Sequence, residues 1–284
     1  MGTIAFLGTG LLGSAFAEAA AKRGDDVTAW NRSPDKVLAL APFGVKAAAT
    51  PADAVQGVDR VHLILKDDAV VEDVIATARP GLSSSTVLID HSTTLPKLTA
   101  ERVTRLQAEG IQYLHCPVFM GPAAARNAQG SMLASGPETV FNSVKAELAR
   151  MTGRLDYLGE RPDLAALNKL FGNAMFIGLW GILADILTLA KAGGVEPEDA
   201  ITLLGRLDLN GAAASRGTNM AACNFTPTFE LAMARKDVGL MLETAGNQPL
   251  AALRSIAARM DQLIAAGYGA EDAGVLAIDA VRQS

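Results

Sequence analysis

The sequence predicts an α/β chain: an N-terminal, doubly wound parallel sheet joined by one long helix to a C-terminal all-α half. Three observations predict it. Short apolar runs alternate with segments of 3.6-residue apolar periodicity as far as residue 161. Strands that alternate with helices pair in parallel through right-handed crossovers. After Pro162 no strand-like run recurs, and Asp163–Ala192 is one proline-free helical pattern. The expected domains are therefore 1–161 and 162–284.

The elements follow in order. Thr3–Leu7 is a continuous apolar run bounded by Gly8, a buried strand. Leu11–Arg23 has helical periodicity and is stopped by Gly24. Asp26–Trp30 is a second strand, Asp35–Ala41 a short helix and Val45–Ala47 a short strand. Arg60–Leu65 and Thr86–Asp90 are apolar strands on either side of a helix over Val70–Ala78. Pro96–Glu109 carries proline at its start and Gly110 after its end, the usual asymmetry of a helix, and leads into strand Ile111–His115. Ser131–Ser135 and Arg154–Tyr157 are expected as two further edge strands. Helices are expected near Glu198–Leu207, Leu231–Ala245, Pro249–Ala266 and Ala270–Val281.

With 284 residues, half of them hydrophobic, the chain can bury a core in each of about two domains. A formal charge of −5 without a long basic run argues against nucleic acid as a partner. Cys116 and Cys223 are far apart, and His62, His91 and His115 are scattered. No disulfide framework and no metal site is expected, which suits a reducing, cytoplasmic setting. The opening Met1–Leu7 has no basic n-region, so no signal peptide is expected. The apolar stretch Leu170–Ala184, bracketed by Lys169 and Asp185, falls short of the ~20 residues a bilayer requires. It reads as a buried helix, with no membrane partner.

Gly8-Thr9-Gly10-Leu11-Leu12-Gly13 is the most informative motif. The spacing alone is weak in a chain with 27 glycines, but here the first glycine follows a strand and the third lies inside the next helix. Gly8 would permit the tight turn, Gly10 the approach of a pyrophosphate, and Gly13 close packing of helix on strand. Free amides at the helix start favour the anion. The sheet is therefore expected to be Rossmann-type. At the end of the second strand, where a carboxylate would select NAD by binding the ribose 2′-OH, the chain has Asn31-Arg32-Ser33. A guanidinium and two neutral donors suit a 2′-phosphate, so the expected cofactor is NADP(H).

In the long helix Lys169 stands in an almost wholly apolar setting, with Asn173 one turn on and on the same face. Desolvation would lower its pKa and fit it for proton transfer, with Asn173 orienting a substrate oxygen. Equally, its stem could pack while its amine snorkels to water. The helix alone does not choose.

These motifs resemble the β-hydroxyacid dehydrogenase family, which includes 3-hydroxyisobutyrate dehydrogenase and the glyoxylate/succinic semialdehyde reductases, with 6-phosphogluconate dehydrogenase more distant. The likeness spans nearly the whole chain. Ile4–Gly13 resembles the family's opening, with Leu12 where Met is usual. Leu65-Lys66-Asp67-Asp68-Ala69-Val70 resembles the loop bordering the cofactor, which assigns Leu65, Lys66 and Val70 to it. Asp90-His91-Ser92-Thr93 resembles the Asp-x-Ser-Thr segment, placing Ser92 and Thr93 near substrate and Thr93 near the nicotinamide. Lys169-Leu170-Phe171-Gly172-Asn173 resembles Lys-x-x-Asn-Asn, with Gly172 in place of the first Asn; this implies Lys169 as proton donor or acceptor and Asn173 beside it. Phe229 and Lys236-Asp237 resemble a later Phe…Lys-Asp pair whose lysine reaches the cofactor. The substrate loop departs: Phe119-Met120-Gly121 follows Pro117-Val118 where the family has Ser-Gly-Gly. The carboxylate-binding hydroxyl is absent, so a more apolar substrate, or one held by backbone amides, is implied.

The expected function is NADP(H)-dependent hydride transfer to or from a small aldehyde, semialdehyde or β-hydroxy acid, with Lys169 moving the proton. One alternative is imine reduction, although such enzymes usually carry Asp or Tyr where Lys169 stands. The other is a non-catalytic dinucleotide-binding module. A homodimer or higher homo-oligomer is expected, because so apolar a helix surface is rarely left wet.

Overall fold

The structure, a computed structural model, describes residues 2–282. Its backbone contacts group Met1–Asn173 and Ala174–Ser284 into two units, a division that falls within the long helix.

The first unit is built on six parallel strands: β1 (Thr3–Leu7), β2 (Asp26–Trp30), β3 (Lys46–Ala47), β4 (Arg60–Leu63), β5 (Val87–Asp90) and β6 (Gln112–His115). Their order is β3-β2-β1-β4-β5-β6. Alternation along β1 sends Ile4 and Phe6 into one core with Phe16, Val27, Ile89 and Leu114. Ala5 and Leu7 enter the other, with Val61, Leu63, Leu88 and Leu106. Both faces are thus covered, as a parallel sheet requires. The register puts Trp30, Leu7, Leu63, Asp90 and His115 in one row at the carboxyl edge. Strand order reverses between β1 and β4, the place where such sheets open a crevice.

Ser131–Ala134 (β8) and Arg154–Tyr157 (β9) do not extend this sheet as expected. They form a second sheet with Val118–Phe119 (β7), β7 antiparallel and β9 parallel to β8. An isolated bridge joins His115 to Ser135. Pro117, with no N–H to donate, follows the last residues of β6 and turns the chain out of the large sheet.

Several helices depart from expectation. The one expected over Asp35–Ala41 ends at Leu38; Pro42 has no N–H with which to continue the α-helical ladder, and a tighter 3-10 turn follows over Ala41–Phe43. That over Pro249–Ala266 starts later, at Leu253, and runs as an α-helix to Leu263 and then as a wider π turn over Ile264–Tyr268, inside which Gly267 is left-handed, with φ +94°. Helices over Glu138–Ala149 and Leu209–Ala221 were not expected. The second holds Gly211 and Gly217, poor helix formers, and is started by Asp208 accepting from the Gly211 amide.

The second unit packs Leu231, Val238, Leu253, Met260, Val275 and Ile278 into its own core. Buried Asp185, on the long helix, accepts from the amides of Ala252 and Leu253 at 3.0 and 2.8 Å. Burial alone would raise its pKa; these amides and that of Ala251 outweigh it and hold the carboxyl below its ordinary value.

The long helix, Leu164–Ala192, corrects one expectation. It was to be buried and too short to cross a bilayer, yet by length and composition it could cross one, and little of its apolar window is covered. Phe171, Met175, Ile177 and Trp180 are each at least 60 % exposed. The helix is apolar on more faces than this chain covers.

Candidate active site

The first unit presents a cleft of about 520 Å³, lined by Gly8, Gly10, Leu11, Leu12, Trp30, Asn31, Arg32, Ser33, Lys36, Ile64, Leu65, Lys66, Val70, Asp73 and Val74. Gly8, at φ +101°, could not carry a Cβ, which would lie 2.3 Å from the Ile64 carbonyl oxygen. On Gly13 a Cβ would lie 2.0 Å from the Gly8 oxygen, so helix α1 (Leu11–Lys22) touches the turn with backbone alone. Gly10 differs: its φ is −67° and nothing lies within 4 Å of a Cβ there. The fold does not require glycine at 10, but a ligand pressed on that backbone would. Gly10 caps α1 without a side-chain hydrogen bond, and no acidic residue sits in the first turn. The unpaired amides there form an anion site that fits a pyrophosphate.

Asn31 braces this turn. Its Oδ1 accepts from the Thr9 amide at 3.0 Å and its Nδ2 donates to the Ser33 carbonyl at 3.1 Å. Thr9 and Gly13 therefore support the cleft from behind, Thr9 being 1 % exposed. Arg32 and Lys36 are exposed in the cleft and, among the described residues, have no ion-pair partner. Lys66 contributes a third positive charge, beside Asp67 at 3.7 Å. Trp30, Lys36, Ile64, Asp73 and Val74 escaped sequence reasoning; Lys36, one turn beyond Ser33, was within reach of it.

Ser92 was expected to meet substrate. It is buried, and its hydroxyl accepts from the Leu65 amide at 2.9 Å, so it ties the loop after β5 to the cleft instead. Its own amide donates to Asp90 Oδ1 at 2.8 Å. Neighbouring Thr93 is exposed. His91 Nδ1 lies 2.7 Å from the Cys116 carbonyl oxygen. A carbonyl only accepts, so Nδ1 carries the proton. Burial keeps both His91 and His62 below the ordinary histidine pKa. Neutral His91 must then accept at Nε2 from His62 Nδ1, 2.9 Å away.

This ladder leads to the lysine. Two residues past Cys116, the Val118 carbonyl accepts from Lys169 Nζ at 2.7 Å. The same Nζ lies 4.2 Å from the centre of the Phe119 ring. Burial pulls the Lys169 pKa below its ordinary value. The amine is turned onto β7 rather than straight out to water. Asn173 is half-buried one turn on. Met120 is half-buried, packed against the core of the first unit, and Gly121 is exposed at the start of a short helix. Lys236 lies in the second unit, exposed, 3.0 Å from Asp237.

A glycine turn open to an anion at the switch point of a doubly wound sheet, followed by an all-helical unit, defines a nicotinamide-dinucleotide-dependent oxidoreductase of the β-hydroxyacid dehydrogenase type. Residues 3–159 match the family model described as the NAD binding domain of 6-phosphogluconate dehydrogenase, and the chain belongs to that family. It is 27% identical to 3-sulfolactaldehyde reductase of Escherichia coli (strain K12), over 96% of this chain and 93% of that protein. It is likewise 27% identical to the chloroplastic glyoxylate/succinic semialdehyde reductase 2 of Arabidopsis thaliana, over 95% of this chain and 76% of that protein. Among solved structures, a reductive aminase from Aspergillus terreus in complex with NADPH and ethyl levulinate shares the fold at a TM-score of 0.90, with 24% identity, 99% of this chain and 100% of that chain covered.

The two inner glycines should separate experimentally. Gly10→Ala should leave unfolding free energy within about 0.5 kcal/mol of the parent but weaken dinucleotide binding by about tenfold or more. Gly13→Ala should cost stability directly, by about 2 kcal/mol or more, because two backbones must part. Denaturant unfolding and fluorescence titration of both variants check this.

Proposed function

We propose that the protein is an NADP(H)-dependent reductase or dehydrogenase of a small aldehyde, semialdehyde or β-hydroxy acid, and that Lys169 is its proton donor and acceptor. One observation carries the reading: the lysine amine is half-buried, held at 2.7 Å on the Val118 carbonyl and shifted toward neutrality by burial. The printed names of the two relatives, both aldehyde or semialdehyde reductases, support the substrate class. The bound nicotinamide supplies or accepts the hydride. The chain holds the dinucleotide on Gly10 and the start of α1, and Lys169 gives its proton to the carbonyl oxygen in reduction or recovers it in oxidation. Asn173, on the same helix face, orients that oxygen.

Preference for the 2′-phosphate is supported by Arg32 and Lys36 in the cleft and by Asn31, not a carboxylate, directly after β2. Asn31 acts by shaping the loop, since its amide is already engaged. Lys236 is proposed to reach the cofactor, and a cytoplasmic setting suits the two free cysteines. A homodimer is proposed because the exposed side chains of Phe171, Met175, Ile177 and Trp180 are too extensive an apolar surface to leave in water.

Lys169→Ala should lower turnover by about 10² to 10⁴-fold, with NADPH affinity nearly unchanged; unchanged turnover in stopped-flow assays removes the proton-transfer role. The sign of its pH dependence is fixed. Reduction needs the protonated amine, so its rate should fall as pH rises through a pKa below the ordinary ~10.4, while oxidation should gain. Arg32→Ala should raise the Kd for NADPH by about tenfold or more and leave NADH little changed; equal losses refute the assignment. In light scattering without detergent, a monomer at micromolar concentration would overturn the dimer. A spectrophotometric screen of aldehydes, semialdehydes, hydroxy acids and cyclic imines tests the reaction class.

A further inference from the structure

Phe119 and Gly172 are a matched pair beside the lysine. A Cβ on Gly172 would lie 2.3 Å from Phe119 Cζ and 2.5 Å from Cε1. The tip of the ring occupies the volume that a side chain at 172 would need, so a substitution there must turn the ring. Crowding is not general on this helix, for Gly178 has nothing within 4 Å of the same position. Nor is the Phe119 backbone free to withdraw. It pairs with Ser131 across β7 and β8, and a Cβ on left-handed Gly130 would lie 2.8 Å from the Phe119 oxygen.

The wall around the amine therefore consists of an aromatic face and the Val118 carbonyl oxygen. Both present negative potential. Neither Phe119 nor Gly172 has a side-chain donor. A substrate carboxylate at this wall would find no donor except the Lys169 amine, which the Val118 carbonyl and the ring already engage, while an uncharged apolar substituent would pack against the ring.

We propose that the Phe119–Gly172 pair sets the specificity of the site and narrows the substrate classes proposed above to uncharged aldehydes or ketones with an apolar substituent, or the corresponding alcohols, setting aside the semialdehydes and β-hydroxy acids that carry a carboxylate within a few carbons of the reacting carbon. This rests on Lys169 as the proton carrier, since the pair is placed relative to its amine.

Succinic semialdehyde and its methyl ester differ in charge but scarcely in length and are the probes. NADPH oxidation gives kcat/KM for the parent, Phe119→Ser, Gly172→Ala and the double variant. The parent should favour the ester by about tenfold or more, and Phe119→Ser should narrow or reverse that preference. Gly172→Ala drives a methyl into the ring and should lower kcat/KM for the ester by about tenfold, but by less than about twofold in the F119S background. Should Gly172→Ala fail to fold, recovery of its melting transition by Phe119→Ser reads the same coupling. A parent preference for the free acid, no turnover of the ester, or an undiminished Gly172→Ala defect in the F119S background overturns the proposal. The two readings fail separately. If Lys169→Ala abolishes turnover of whichever compound the broad screen finds and the selectivity result fails, only the pair's role falls. If Lys169→Ala leaves that turnover intact, the proton-transfer reading falls.

Discussion

Buried polar groups at the carboxyl edge of the parallel sheet must satisfy one another, and the site is built on the way they do so. Asp90, fully buried at the end of β5, divides its two oxygens between the Ser92 amide and the Tyr113 hydroxyl, the latter at 2.6 Å. Burial pushes the Tyr113 pKa well up, which keeps the phenol a donor. Arg102 lies 3.8 Å from the same carboxylate and bonds outward to Asp68 and Glu72. Each such group left unpaired would cost about 1–3 kcal/mol, so the loops after β4, β5 and β6 have little freedom to move independently. Ser92 carries the restraint to Leu65 on the cofactor cleft, and His91 carries it to Cys116, two residues before the carbonyl that holds Lys169. Cleft and lysine are thereby positioned by one framework.

That framework changes what the Ser92 hydroxyl can do. A serine near a proposed reaction centre invites a substrate contact, and the expectation followed the residue type and its place in a motif. Its oxygen instead receives a loop amide in a setting with almost no solvent. Thr93, next in sequence, is exposed. Ser92 lies in a bend just past β5, and a motif read as letters does not say which residue of such a bend turns inward.

Legibility in the sequence followed the range of the forces involved. Strands β1 and β2 were placed to the residue because continuous apolar runs between turn residues have few alternatives. The glycine loop was legible because each glycine answers a steric demand within a few residues of itself. Partition of β7, β8 and β9 into a separate sheet was not, since pairing of Phe119 with Ser131 is a long-range event that leaves no local periodicity. The same holds at the site. Lys169 was visible as a charge in an apolar helix, but the Val118 carbonyl that receives it is backbone and has no residue code. Phe119 and Gly172 each stood out as departures from a resembling motif, and only the fold brings them into contact.

The long helix ties these local arguments to the molecule's surroundings. Its apolar window is bounded by two polar residues that the chain itself engages: Lys169 on Val118, and Asp185 on the amides of Ala252 and Leu253. Close approach of Gly181 to Ala251 and Ala252 fixes which face turns inward in the second unit. Extraction of Lys169 or Asp185 into hydrocarbon would leave their partners unpaired and bury a charge, which membranes penalise heavily. Any partner that covers this stretch must be apolar along it and tolerate a charge at each end. The side chains of Ile177 and Trp180, each 61 % exposed, are the ones such a partner would have to bury.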